Sequence, residues 1–204
     1  MKRILITGAN SYIGTSFENY VKQWPEAYHV DTVDMIDGSW REKSFTGYDT
    51  VFHVAGIAHS DSGKISKERE ALYYKINTDL TIETAKKAKA DGVKQFIFMS
   101  SIIVYGDSAP IGKQKIITKD TSPVPANCYG DSKLQAENGI LPLQDDTFNV
   151  VVLRPPMIYG KGCRGNYPAL SKYAQKLSEF PDINNSRSML YIGNLVEFLR
   201  LMVD

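Results

Sequence analysis

Two side chains near the middle of the chain are spaced for proton chemistry. Tyr129 and Lys133 stand four residues apart in Asn127-Cys128-Tyr129-Gly130-Asp131-Ser132-Lys133-Leu134-Gln135-Ala136-Glu137. In a helix that spacing puts both on one face. An ammonium near a phenol favours the phenolate and lowers the phenol's pKa. A tyrosine, with an ordinary pKa of about 10, then becomes a candidate general base near neutrality. The same spacing also arises by chance on solvated helices, so the pair needs a context.

The amino end supplies one. Arg3-Ile4-Leu5-Ile6-Thr7 is an apolar run long enough for one buried strand, and Gly8-Ala9-Asn10-Ser11-Tyr12-Ile13-Gly14 follows at once. A glycine turn opening a helix gathers backbone N–H groups and the positive end of the helix dipole at one point, which attracts a phosphate. The expectation is a dinucleotide at the tip of the first strand; a tight turn without a ligand is the competing reading. Ser11 stands where a middle glycine would be. Its Cβ crowds a pyrophosphate, and its hydroxyl could donate to one. Asp34 lies 20 positions after Gly14, where an acidic residue commonly takes the adenosine ribose hydroxyls. A strand-end turn carboxylate is the alternative for Asp34, and Asp37 competes for the role. Asp34 would repel a 2′-phosphate, which favours NAD over NADP; Arg41 is the nearest arginine that could argue otherwise.

The elements that must position these groups read as an α/β chain. Parallel strands appear as continuous apolar runs because both faces are covered. Strands are expected at residues 3–7, 29–35, 49–55, 94–100 and 150–154. Phe17, Tyr20, Val21 and Trp24 recur at helical spacing before Pro25. A long helix is expected over 68–90, with Leu72, Ile76 and Leu80 on its buried face and Asp91-Gly92 ending it. Asn77 falls mid-helix, where asparagine is intrinsically disfavoured, and reads as a solvent-exposed position. Residues 36–48 are too few for a full helix and a full strand, so one should be reduced or lost. Residues 60–66 read as a surface loop. Residues 107–125, with few apolar anchors, read as a functional loop or lid whose lysines are solvated. Pro155-Pro156 breaks the pattern after the fifth strand. A helix with Leu170, Tyr173, Ala174 and Leu177, a short strand over 187–191, and an apolar stripe of Leu195, Phe198, Leu199 and Met202 follow.

The totals exclude several classes. The 204 residues suit one domain, or one with a small appendage. A formal net charge of +1 gives no electrostatic case for nucleic acid or an anionic membrane. Two isolated cysteines, Cys128 and Cys163, make no disulfide framework and point to a reducing cytoplasm. Met1-Lys2-Arg3 leads straight into a strand without a cleavable signal, and no apolar run approaches the roughly 18 residues of a membrane span. His53 and His59 are not joined by other ligands at metal spacing, so no metal is expected.

Four stretches in order carry a resemblance: Thr7-Gly8 to Gly14, His53-Val54-Ala55-Gly56, Ser101 with Val104-Tyr105-Gly106, and Tyr129 with Lys133. Together they resemble the extended short-chain dehydrogenases, specifically the NAD-dependent epimerase/dehydratase family acting on nucleotide sugars. Arg154-Pro155, Tyr159-Gly160, Gly165-Asn166, Arg187-Ser188 and Asn194-Leu195 match later signposts. The resemblance implies a doubly wound parallel sheet of the Rossmann type over residues 1–160, with a partial substrate region over 161–204. It implies that Gly8, Asn10, Ser11, Tyr12, Ile13 and Gly14 line the cofactor phosphates, that Asp34 holds the ribose, and that Ala55, Gly56 and Asn77 adjoin the cofactor. Tyr129 would be the base, Lys133 would hold the nicotinamide ribose, and Ser101 would bond the reacting sugar oxygen. Asn166 and Arg187 would contact the diphosphate of a UDP-linked nucleotide sugar. A homodimer through the long helices is a further implication. Family members continue past this point to complete the sugar pocket, so the chain reads as truncated. Ile102 and Ile103 occupy positions where members that remove water carry Asp-Glu. Dehydration is therefore disfavoured, leaving 4-epimerisation or 4-keto reduction. A dinucleotide-binding regulator without catalysis is the reading from another class.

Overall fold

A computed structural model describes residues 1–58, 65–110, 112–179 and 186–204. His59 and the 60–64 part of the expected loop lie outside the described residues.

Five parallel strands form the main sheet, in the order β2-β1-β3-β4-β5. They are β1 (Lys2–Thr7), β2 (Tyr28–Val33), β3 (Thr50–His53), β4 (Gln95–Met99) and β5 (Asn149–Leu153). The period of two sends alternate side chains to opposite faces. Ile4, Ile6, Phe52, Ile97 and Met99 meet Phe17 and Val21 of α1 (Tyr12–Val21) and Leu195, Val196, Leu199 and Val203 of α6 (Ile192–Val203). Leu5, Val51, Phe96, Phe98 and Val150 meet Ala85 and Ala88 of α3 (Leu80–Ala90) and Ala136 and Ile140 of α4 (Cys128–Ile140). Helices thus cover both faces, which is the doubly wound architecture.

The chain runs from β1 outward to β2 and then back across β1 to β3. The strand order reverses between β1 and β3, and in such sheets ligands bind at the carboxyl ends beside that reversal. Residues 36–48 form no strand; their one regular element is a 3₁₀ turn, Ser39–Arg41. Trp40, Phe45 and Tyr48 from this stretch are buried against the α3–α4 side of the sheet. Three aromatic anchors replace a missing element, and β2 stays an edge strand.

The expected helix over 68–90 is present with two corrections. α2 (Lys67–Tyr73) passes through one π-helical stretch, Tyr74–Asp79, before α3 begins. A π-bulge inserts an extra residue per turn and often marks a functional site. It also changes which face is buried. Tyr73, Asn77, Thr81, Thr84, Ala85 and Ala88 are buried, whereas Leu72, Ile76 and Leu80 are only partly covered. Thr81 and Thr84 donate back to Asn77 O and Leu80 O of their own helix, and Ala85 and Ala88 pack in the apolar core.

After β5 a second, two-stranded parallel sheet pairs β6 (Met157–Tyr159) with β7 (Met189–Tyr191). β6 had no sequence signal beyond a break at Pro155-Pro156. α5 (Asn166–Lys176) lies between them and has no buried residue. Among the described residues no helix is long and apolar enough to cross a membrane.

Candidate active site

The glycine turn is built from backbone geometry. Gly8 has φ +116°, and a Cβ there would stand 2.7 Å from Ala55 N. The turn therefore lies against the end of β3, where Ala55 N donates to Thr7 O at 2.9 Å. Asn10 takes φ +61°, the left-handed region that asparagine tolerates best among residues with a Cβ. Ser11 caps α1, its Oγ accepting Gly14 N–H at 3.2 Å. The first N–H groups of a helix have no intrahelical acceptor. The Ser11 cap satisfies that of Gly14 and leaves those of Tyr12 and Ile13 for another acceptor. A Cβ at Gly14 would meet Ser11 Oγ at 2.5 Å, so the cap and the glycine require each other. These features fit a phosphate-binding cradle. Gly8→Ala should cost about 2 kcal/mol of stability from left-handed strain and the Ala55 contact. Denaturant melts check this, with NAD calorimetry reporting the accompanying loss of affinity.

Asp34 directly follows β2, and Val33 O accepts Gly8 N–H at 3.0 Å. Its backbone therefore follows the residue bonded by the glycine turn, and its exposed carboxylate accepts Ile36 N–H through Oδ1 at 2.9 Å. Asp37 instead caps the Ser39–Arg41 turn, accepting from Ser39 N at 3.0 Å and Ser39 Oγ at 2.7 Å.

The strand ends of β3 and β4 bring the remaining groups together. A Cβ at Gly56 would meet Asn77 Oδ1 at 2.9 Å and Lys133 Nζ at 3.2 Å. Asn77, expected at the surface, is fully buried. Its Oδ1 accepts Ile57 N–H at 2.9 Å, and its Nδ2 donates to Ile57 O at 3.1 Å and Ser132 Oγ at 3.1 Å. Both amide protons are thus committed to the protein. Asn77 pins the loop after β3 onto α4, and the π-bulge is what delivers it there. Thr78 adds a bond to Ser132 O at 2.7 Å. Asn127 caps α4 through Gly130 N–H at 2.9 Å.

On α4, Lys133 is buried and its Nζ donates to Met99 O at 3.0 Å, 4.8 Å from the centre of the Phe98 ring. Burial pulls its amine down to about 8, and Glu137 opposes that fall. The Ser101 hydroxyl lies close enough to the Tyr129 phenol to favour its ionised form. Ser101 also opens the 3₁₀ turn Ile102–Tyr105, its Oγ accepting Ile103 N–H at 3.3 Å. Burial pushes the Tyr129 phenol above its ordinary value, the nearby Ser101 hydroxyl works against that, and the Tyr73 ring, 6.0 Å away, adds to the rise. This corrects the expectation of a lowered phenol. Lys133 aims its proton at a strand-end carbonyl, so in this state burial outweighs the ammonium.

His53 belongs to the core. It is buried between Thr7 Oγ1 at 2.7 Å and Thr81 Oγ1 at 3.0 Å, and burial holds its imidazole down at about 3. Asn166 opens α5 and Arg187 precedes β7; both are exposed, and among the described residues neither hydrogen-bonds Ser101, Tyr129 or Lys133. Tyr12 reaches the loop after β6, where a Cβ at Gly160 would stand 3.2 Å from its hydroxyl.

Four neighbours went without a role in the sequence reading. Glu137 is fully buried and paired with Arg154, Nε standing 3.1 Å from both carboxylate oxygens. Ser100 Oγ donates to the same carboxylate. Arg154 also donates to Tyr105 Oη at 2.6 Å. One signal was available: Glu137 continues the i, i+4 row of Tyr129 and Lys133.

The profile of the NAD dependent epimerase/dehydratase family matches residues 4–204. The UDP-glucose 4-epimerase of Vibrio cholerae is 30% identical over 222 residues, covering 100% of this chain and 67% of that protein. The N-acetyl-α-D-glucosaminyl-diphospho-ditrans,octacis-undecaprenol 4-epimerase of Escherichia coli O157:H7 is 30% identical over 217 residues, covering 97% of this chain and 62% of that protein. This chain thus spans about two thirds of the length of these relatives. Among solved structures, MoeE5 in complex with UDP-glucose and NAD superposes with a TM-score of 0.77 at 23% identity, covering 99% of this chain and 72% of MoeE5. The UDP-glucuronic acid 4-epimerase of Bacillus cereus, in complex with UDP-glucuronic acid and NAD, gives 0.75 at 22% identity, covering 99% and 73%. At these identities the structural likeness is one of fold.

Proposed function

Because this chain belongs to the NAD dependent epimerase/dehydratase family, we propose that it binds NAD and works at C4 of a UDP-linked sugar as an epimerase or 4-ketoreductase. The observation that carries this reading is the approach of the Ser101 hydroxyl to the Tyr129 phenol, on the helix row that also holds a buried Lys133. The relatives named above support the cofactor and the substrate class.

The residues then divide the work. The glycine turn and the N–H groups of Tyr12 and Ile13 would hold the pyrophosphate, and Asp34 the adenosine ribose. Lys133, beside Gly56 and within reach of Met99 O, would hold the nicotinamide ribose. Bound NAD would supply the hydride acceptor and a positive ring charge that favours the phenolate. Ser101 would bond the C4 oxygen. Tyr129 would take the C4 hydroxyl proton as the C4 hydrogen departs with its electron pair, leaving a 4-keto sugar. Return of the hydride to the opposite face of the keto carbon, with Tyr129 giving the proton back, would complete epimerisation; a 4-ketoreductase would instead take up a 4-keto sugar with reduced NAD and carry out only this second half. Ile102 and Ile103 follow Ser101 and cannot move protons, which supports a reaction without loss of water. Asn166 and Arg187 are proposed to meet the diphosphate.

A regulator without catalysis would have no use for an ammonium buried at a cost to stability. Calorimetry with NAD, then with UDP-glucose and UDP-glucuronic acid, separates the two: the proposal requires both cofactor and sugar nucleotide to bind, and NAD binding alone would leave the regulator. Ribose recognition has its own test. Asp34→Ser should narrow the preference for NAD over NADP about tenfold, or ~1.4 kcal/mol. An unchanged ratio would move the role to Asp37.

A further inference from the structure

The ionic group behind the catalytic row is not explained by chemistry on a substrate. Glu137 is fully buried, one helical step beyond Lys133 and two beyond Tyr129. Its carboxylate accepts from Ser100 Oγ and from Arg154. Arg154 reaches on to Tyr105 Oη at 2.6 Å and lies 5.1 Å from the centre of that ring. Ser100 and Tyr105 bracket the segment that carries Ser101. That segment has two backbone ties of its own, Ser100 N to Leu153 O at 2.8 Å and Ile102 N to Pro155 O at 3.0 Å. Both fasten it to β5 and its exit; the carboxylate fastens it to α4.

We propose that Glu137 is a positioning residue for this centre: through Ser100 and Arg154 it clamps the 100–105 segment onto α4, setting Ser101 against Tyr129, with its carboxylate one helical turn from Lys133. The proposal rests on the reading of Ser101, Tyr129 and Lys133 as the catalytic group. Buried ion pairs are weak sources of stability, so a fully desolvated carboxylate here calls for another use. The charged or titratable groups facing Lys133 are few. Glu137 and Tyr129 share its helix. His53 on β3 is neutral above about pH 3. Arg154, at the end of β5, has its charge engaged by Glu137. Among these, Glu137 is the group that opposes the effect of burial on the amine.

The test uses Glu137→Gln, which preserves shape and removes charge, and Glu137→Gln with Arg154→Met, which leaves no unpaired guanidinium. In the cofactor-free protein, NMR titration of the Lys133 amine should show its midpoint falling by about one pH unit in either variant. Turnover should drop 10- to 100-fold with the NAD Kd within about threefold, and the alkaline limb of the rate profile should move to lower pH. Glu137→Asp should recover part of the turnover. A folded variant with an unchanged Lys133 midpoint and unchanged turnover overturns the proposal. Loss of folding in both variants also overturns it, by assigning Glu137 to stability alone. If instead Tyr129→Phe retains activity, the catalytic reading fails, whereas the Lys133 titration still reports on Glu137 by itself.

Discussion

Tyr129→Phe is expected to lower turnover of a UDP-sugar about a thousandfold while NAD affinity stays within a few-fold. Positioned proton transfer contributes roughly 10²- to 10⁴-fold, and the phenol is the group proposed to take the proton. The substitution removes one oxygen and keeps the ring that packs 6.0 Å from Tyr73. Ser101 Oγ keeps its backbone donor, Ile103 N–H at 3.3 Å. The fold should therefore be undisturbed, and thermal melts should show little change. Stopped-flow absorbance at 340 nm, following reduction of bound NAD by UDP-glucose, reads the step directly. Activity surviving within a few-fold would remove Tyr129 from the role of base.

Lys133→Met is expected to raise stability at pH 7 by about 2 kcal/mol while lowering turnover at least a hundredfold. The amine titrates at about 8 in the fold against an ordinary 10.5. At pH 7 both folded and unfolded chains hold the proton, and the fold bears the whole cost of burying it. A gap of about 2.5 pH units corresponds to about 3 kcal/mol. Losing the hydrogen bond to Met99 O returns about 1 kcal/mol. Between pH 8 and 10.5 the unfolded chain binds a proton that the folded chain has released, so wild-type stability should climb with pH across that window. The variant should lack that rise. Urea denaturation at pH 7 and pH 9.5 checks both statements. A variant less stable than wild type at pH 7 would mean that the buried amine is not a burden to the fold. Weakened NAD binding in the same variant would report its contact with the nicotinamide ribose.

Much of the site was legible because it depends on local spacing. Gly8 to Gly14 announced a strand–turn–helix, and the structure places that turn between β1 and α1. Tyr129 and Lys133 needed only a helix to share a face, and α4 supplies it. The loss of a full element between β2 and β3 was legible in the shortness of residues 36–48. Less local features were not legible. Asn77 read as an exposed helix position because a regular helix was assumed; a π-bulge turned it inward. The acidity of Tyr129 was inferred from its neighbour alone, without the burial that dominates it.

Chain order and side-chain type by themselves determined a parallel α/β sheet, a glycine turn at the end of its first strand, and a phenol and an ammonium on one helix row. Those properties follow from hydrophobic period and backbone sterics over a few residues, which act before any distant segment arrives. The tertiary structure alone decided that Ser101 comes near Tyr129, that Lys133 is stripped of water, and that Glu137 and Arg154 close behind them. Such facts depend on which segments pack together and how much solvent they exclude, and a contact between residues 100 and 137, or between 137 and 154, has no signature in the spacing of either.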